Sequence, residues 1–263
     1  MCTPDKDGGV KYEAENLGEV LGGDEIASSP YSFKVKVDEY CKFLCRKVYN
    51  EDEAETLREY IDDQYRAHLI IDNLPLATVV EVISSQSTEP SLKYDLGYDL
   101  GYVITGNDGT IVDTNEDHDH DHEDMRHFIN NHLSFYVKVN LLQNEAGESV
   151  HRIVGFEVQP WSVNHKYDGE FNVASPSLTT CATKIQSDAL AQSVDAPGEV
   201  IFTYDVVWKE SVIKWGNRWD LYFESGSDKI HWFSIVNSLM IVLFLSAIVA
   251  IILLRAINQD IAR

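Results

Sequence analysis

One segment limits this chain more than any other. Phe233–Leu254 reads FSIVNSLMIVLFLSAIVAIILL, 22 residues without a charge, with one amide (Asn237) and three serines (Ser234, Ser238 and Ser246). As a helix it is roughly 33 Å long, slightly more than the hydrocarbon core of a bilayer. Trp232 stands at its entrance with His231 and Lys229 just before it, and Arg255 follows it, as residues at the two interfaces would. The run is read as a transmembrane helix over 233–254, with 229–232 as its interfacial flank and 255–263 as a short tail. The lipid bilayer is then this chain's first partner.

Charge is segregated in the same way. The whole chain carries −22. Residues 229–263 hold Lys229, Arg255 and Arg263 against Asp260, a net of +2, which leaves −24 on 1–228. So acidic a domain excludes nucleic acid as a partner, because phosphate contacts demand Lys or Arg. Basic residues flank the span almost equally, so the positive-inside count leaves the orientation open. Four cysteines, Cys2, Cys41, Cys45 and Cys181, are compatible with two disulfides in an oxidising lumen, with three possible connectivities. The opening stretch MCTPDKDGGVKYEAEN lacks the apolar core of a leader, so a leader is expected to have been removed or to lie upstream. No Asn-x-Ser/Thr acceptor occurs.

Short strand patterns dominate residues 1–228. Ser32–Val37 alternates with Phe33, Val35 and Val37 on one face. Leu69–Ile71 and Ala77–Ile83 flank the turn Asp72-Asn73-Leu74-Pro75. Leu133–Val139 and Arg152–Val158 form another apolar group, and Val200–Trp208 places Val200, Phe202, Tyr204, Val206 and Trp208 on one face. A single clear helix opens at Asn50 with Glu53 three residues on and runs to about His68, with Ala54, Leu57, Ile61 and Tyr65 down one side. The fold class is a β-rich, sandwich-like domain with at least one α-helix, followed by a single transmembrane α-helix.

Three features carry potential chemistry. In the acidic loop over 107–126, EDHDHDHED interleaves His118, His120 and His122 with carboxylates, ligand types for zinc, copper or nickel. The competing reading is a solvated loop without the second shell that a dedicated site needs. YDLGYDLGY (Tyr94–Tyr102) is either a sugar-binding platform or a set of tight turns. Trp208, Trp215, Trp219, Tyr222 and Phe223, close before the span, read as an interfacial girdle more than a ligand box. GxSxG, HExxH, P-loop and CxxC motifs are all missing, so the chain is read as no enzyme, with no cofactor.

Several blocks resemble the nonaspanins, the transmembrane-9 superfamily. They are ENLGEVLGGDEIASSPYSFKV (Glu15–Val35), YCKFLC with Cys41 and Cys45, YRAHLIIDNLPLA (Tyr65–Ala77), NHLSFYVKV (Asn131–Val139), RIVGFEVQPWSVNH (Arg152–His165) and VIFTYDVVWKES (Val200–Ser211). The run from KWGNRWDLYF (Lys214–Phe223) through IHWFSIVNSLMIVLFL (Ile230–Leu245) is the most specific. The resemblance implies a Golgi and endosomal membrane protein with residues 1–228 luminal and Arg255 opening the cytosolic side. It also implies nine transmembrane helices and a role in sorting other membrane proteins, notably cargo with glycine-rich transmembrane segments, and in adhesion and phagocytosis. The eight further helices and the C-terminal retrieval signal lie outside this sequence, so it reads as a fragment or a truncated product. The alternative function is a membrane-tethered luminal binding module for metal ions or glycans. Within the span Asn237 is the one strongly polar group, suited to hydrogen-bonding a neighbouring helix.

Overall fold

In the computed structural model the described residues are 2, 10–13, 26–82, 91–105, 111–112, 125–143, 149–167, 169, 171, 177–180, 191–224 and 232–262. The chain divides into two compact units, Met1–Ser225 and Gly226–Arg263.

Strands dominate the first unit. In chain order they are β1 (Tyr12–Glu13), β2 (Ile26–Ala27), β3 (Glu39–Tyr49), β4 (Arg66–Ala67), β5 (Ile70–Ile71), β6 (Leu74–Pro75), β7 (Ala77–Val82) and β8 (Ser91–Leu96). There follow β9 (Tyr98–Asp99), β10 (Gly101–Thr105), β11 (Ile111–Val112), β12 (Met125–Ile129), β13 (His132–Gln143), β14 (Ser149–Trp161) and β15 (Gly198–Glu210). Six of them form the main sheet in the order β3-β15-β13-β14-β7-β8, and β11-β10-β12 form a smaller one. The main sheet is mixed: β15 runs parallel to β13 and β7 parallel to β14, while the other neighbours are antiparallel. Parallel neighbours require long crossovers, here supplied by the segments between β14 and β15 and between β7 and β13.

One face of this sheet is apolar. Phe135 and Val137 from β13, Phe156 and Val158 from β14, and Tyr204 and Val206 from β15 pack against Leu74, Leu76, Tyr98 and Leu100. The Phe135 and Phe156 rings stack at 5.7 Å. Each such side chain contributes about 1.5–3 kcal/mol by leaving water.

The helix α1 (Glu51–Asp62) is closed at both ends by local chemistry. Asn50 Oδ1 accepts the Glu53 N–H at 2.9 Å, and the Glu53 carboxylate accepts the Asn50 N–H at 3.0 Å, a reciprocal cap. Ala54, Leu57 and Ile61 are buried as expected. The helix stops six residues before His68. Gln64 turns left-handed (φ 51°), the Gln64 N–H donates to the Ile61 carbonyl, and the Tyr65 N–H donates to the Tyr60 carbonyl. These two bonds satisfy the final carbonyls, and with Asp62 and Asp63 at the negative end of the helix dipole they place Tyr65 outside it.

The strand expected over Ser32–Val37 is instead a turn. The Val37 N–H donates to the Lys34 carbonyl at 3.2 Å, and Lys36 has φ 59°, a left-handed value that breaks an extended run. Phe33 tucks beneath the sheet against Phe135, whereas Val35 is 67% exposed. In YDLGYDLGY the structure shows strand ends joined by a kink at Gly97 and a close backbone approach at Gly101. Gly97 has φ 76°, and a Cβ on Gly101 would lie 2.2 Å from the Phe128 carbonyl oxygen. Tyr94 and Tyr98 are buried, so their faces are closed to a sugar.

The second unit is a single helix. After a 3-10 turn (Trp215–Asn217) and the short α2 (Asp220–Glu224) at the end of the first unit, α3 runs over Trp232–Ile261. Its 30 residues span about 45 Å. Ile235–Ile261 is long and apolar enough to cross a membrane, and every residue of it is exposed. The helix continues past Leu254, so Arg255 and Asp260 lie on helical backbone.

Candidate functional site

The opposite face of the same strands is polar and nevertheless buried. Alternation along β13 and β15 sends His132, Ser134, Thr203 and Asp205 to this side, and all four are buried. Register puts His132 directly opposite Thr203 and Ser134 opposite Asp205. His132 Nδ1 lies 2.7 Å from Thr203 Oγ1, and the same hydroxyl lies 2.8 Å from His165 Nε2. His165 Nδ1 in turn lies 2.8 Å from Thr180 Oγ1. His132 Nε2 faces Asp205 Oδ2 at 3.4 Å.

One direction of donation satisfies every member. The Thr180 hydroxyl donates to His165, the His165 N–H to Thr203, the Thr203 hydroxyl to His132, and the His132 N–H to the Asp205 carboxylate. Burial, with His132 close by, pushes His165 down to about 4, because a charged ring would lose its hydration.

The same aspartate anchors the cysteine region. The Cys41 N–H donates to Asp205 Oδ1 at 2.6 Å, where Cys41 adopts φ 50° and the β3/β15 register slips. A carboxylate there accepts an amide that the bulge would otherwise leave unpaired. Cys2 and Cys45 form a disulfide with Cα atoms 5.9 Å apart, and Cys41 is also disulfide-bonded. Cys181 lies outside the described residues.

Next to the network, Asn131 is fully used. Its amide nitrogen donates to the carbonyls of Val163 and Ile201, both at 2.8 Å, and its oxygen accepts the Val163 N–H at 2.8 Å. It ties the chain after β14 to β15.

Ser134, His132 and Asp205 do not form a nucleophilic relay. Such a relay places the acid on one ring nitrogen and the hydroxyl on the other. Here Ser134 Oγ and Asp205 Oδ2 both approach Nε2 of His132 at 3.4 Å, and the ring has no exposure at all. The geometry supports an ordered, buried scaffold.

A separate histidine bridges two carboxylates nearer the surface. His127 Nδ1 lies 2.9 Å from Asp195 Oδ1, and its Nε2 lies 3.0 Å from Asp62 Oδ1. Burial alone would raise Asp195, but hydrogen bonds from the His127 amide, the Ser193 hydroxyl and the His127 ring outweigh it and hold this carboxyl below its ordinary value. This contact joins α1 to β12 and to the approach to β15.

An apolar cavity of about 180 Å³ lies beside the Cys2–Cys45 disulfide, between Leu44, Leu57, Tyr98 and Phe202. Tyr31, His68 and Leu69 separate it from an open groove of about 600 Å³ along Ile26–Ser29.

The residues singled out by sequence fall in three places. His118, His120 and His122 lie outside the described residues, and among the described residues no cluster of His, Cys, Asp or Glu has metal-binding geometry. Trp219 is part-exposed, with its ring 5.9 Å from Tyr222, while Asn237 and Arg255 are exposed on α3. Trp232 opens that helix. The network of His132, His165, Thr203 and Asp205 was not anticipated from sequence. Its signal was a carboxylate inside an otherwise apolar strand, in IFTYDVV.

The profile of the family described as Endomembrane protein 70 matches residues 1–263. Transmembrane 9 superfamily member 9 of Arabidopsis thaliana is 43% identical over 268 residues, covering 100% of this chain and 38% of that protein. Transmembrane 9 superfamily member 4 is 34% identical over 272 residues in Rattus norvegicus and 33% over 271 in Homo sapiens, each covering 100% of this chain and 39% of the relative. The chain therefore spans about two fifths of the length of these curated relatives. No solved structure matches it.

Proposed function

The chain belongs to the Endomembrane protein 70 family, and from that membership we propose that it forms the luminal domain and first transmembrane helix of a sorting component of Golgi and endosomal membranes. The observation that carries this reading is full-length similarity to transmembrane-9 proteins joined to a C-terminal helix whose every side chain from Ile235 to Ile261 is exposed in the isolated chain. Such a surface is stable only in lipid or against other membrane helices. The Cys2–Cys45 disulfide and the bonded Cys41 support a luminal position for residues 1–228, since disulfides persist in oxidising compartments. On this reading the cargo comprises membrane proteins with glycine-rich transmembrane segments, whose small residues permit close helix approach. Asn237, exposed in the first two turns of α3, is then a hydrogen-bonding position for a neighbouring helix.

Two measurements test this. An epitope inserted near residue 10 should resist protease in sealed microsomes and become sensitive once detergent is added; sensitivity in intact vesicles would overturn the orientation. Depletion of the gene product should mislocalise a reporter with a glycine-rich span while leaving a leucine-rich reporter in place. Equal behaviour of both reporters would remove the sorting role.

A further inference from the structure

Strand β13 and the end of β15 finish side by side, and what projects from that end differs from the rest of the first unit. The β13/β14 hairpin extends beyond the sheet, so Leu141, Leu142 and Val150 are part-exposed, with Leu142 paired directly to Val150. Ser211 is held to this hairpin twice. Its N–H donates to the Val139 carbonyl at 2.8 Å, and its carbonyl accepts the Asn140 amide at 2.8 Å. The next residue, Val212, is 95% exposed. Trp215 and Trp219 follow, 44% and 37% exposed.

Cations frame these side chains. The Arg152 guanidinium lies 5.6 Å from the centre of the Trp215 ring, and that of Arg218 lies 4.6 Å from it. Lys209 and Lys214 flank Val212 in sequence. Arg218 is fixed by Asp72 at 2.8 Å and by the Ile153 carbonyl, so the Trp215 stack is preorganised. A domain carrying −24 thus presents an apolar and aromatic surface with Arg152 and Lys214 beside it and the carboxylates of Glu210 and Asp220 at its edges.

We infer that Leu142, Val150, Val212, Trp215 and Trp219 form a surface that rests in the headgroup layer of the bilayer. Three observations select lipid as the occupant. Tryptophan with part-exposed rings suits the interface, where one edge is wet and the other apolar. The exposed Arg152 and Lys214 beside it match lipid phosphates, while Arg218, buried against Asp72, only orients the Trp215 ring. Only the seven residues 225–231 separate α2 from α3, a tether of at most about 28 Å when fully extended, so the membrane is always within reach. This inference stands on the ectodomain surface and the presence of a span. It does not require the sorting role.

The test uses the full chain in nanodiscs of phosphatidylcholine and phosphatidylserine, with and without bromine on the upper acyl carbons. A Trp232→Phe background removes the tryptophan that adjoins the span. Emission should be quenched by the brominated lipid in this background, and the quenching should be lost when Trp215→Phe and Trp219→Phe are added. Val212→Glu, at a site too exposed to disturb folding, should reduce quenching while leaving thermal unfolding unchanged. Equal emission in brominated and plain lipid would overturn the inference. So would quenching that survives loss of both tryptophans, or protection of the surface that appears only with two copies per disc, which would make it a contact between chains.

Discussion

Strand β15 and helix α3 are both apolar runs, yet they hide from water in opposite ways. From Val200 to Val206 every residue of β15 is buried, including Thr203 and Asp205. The protein covers both faces of the strand, so even a carboxylate there can be paired. Along α3 the residues from Ile235 to Ile261 are exposed on all sides, and among the described residues of its own unit nothing covers them. The contrast teaches where each segment draws its stability. β15 depends on shape and hydrogen bonds supplied by β3, β13 and the chain around His165, whereas α3 depends only on the apolarity of its surroundings.

That difference is most sharply broken by truncating a side chain on each side of it. Phe135→Ala, in the covered face beside β15, should destabilise the first unit by about 3–5 kcal/mol through the cavity it leaves. Leu243→Ala, on α3, should shift the same unfolding transition by less than about 0.5 kcal/mol. Denaturant titration of the full chain in micelles, followed by tryptophan emission, reads both; equal shifts would mean the two regions fold as one.

Acid should separate them next. Because His165 is held down to about 4 in the fold and returns to about 6.5 when unfolded, its contribution is fully present above pH 6.5. It is lost as pH falls from there towards 4, amounting to about 3 kcal/mol. His165→Gln should flatten this part of the pH profile of the first unit. The helicity of the Ile235–Leu254 span should not respond, since no titratable group lies within it. An unchanged slope in the variant would show that another group governs the acid response.

Charge placed in the helix probes the other half of the comparison. Ser246→Arg, at the middle of the span, should cost about 3 kcal/mol of membrane insertion, read as the inserted fraction in microsomes, without altering the unfolding of the first unit. Asn50→Ala sharpens the smallest contrast. It removes a helix cap and should cost about 1 kcal/mol, measured by the same denaturant titration, because α1 is an element in water whose end depends on a side chain.

Local patterns made a good part of this legible. The reciprocal Asn50–Glu53 cap, the inward row Ala54, Leu57 and Ile61, and the alternation of β13 and β15 follow from spacing that any few residues display. The end of α1 and the turn at Lys34–Val37 were missed for one reason. In both, a single residue with positive φ, Gln64 or Lys36, overrides an apolar periodicity that would have continued, and neither is a glycine that announces it. The buried face was missed because its members lie about seventy residues apart in β13 and β15 and meet only through a parallel register.

The sequence by itself determined that the chain has an uncharged helix fit for a bilayer, an acidic β-rich portion before it, and membership of its family. These are properties of composition, local period and residue identity, each contained in a short window. Only the tertiary structure decided that His132, Thr203, His165 and Asp205 share one hydrogen-bonded network, that Cys2 meets Cys45, and that Val212, Trp215 and the β13/β14 hairpin share an edge. Those depend on which strands become neighbours, and that choice is made by the burial of the whole sheet rather than by any segment within it.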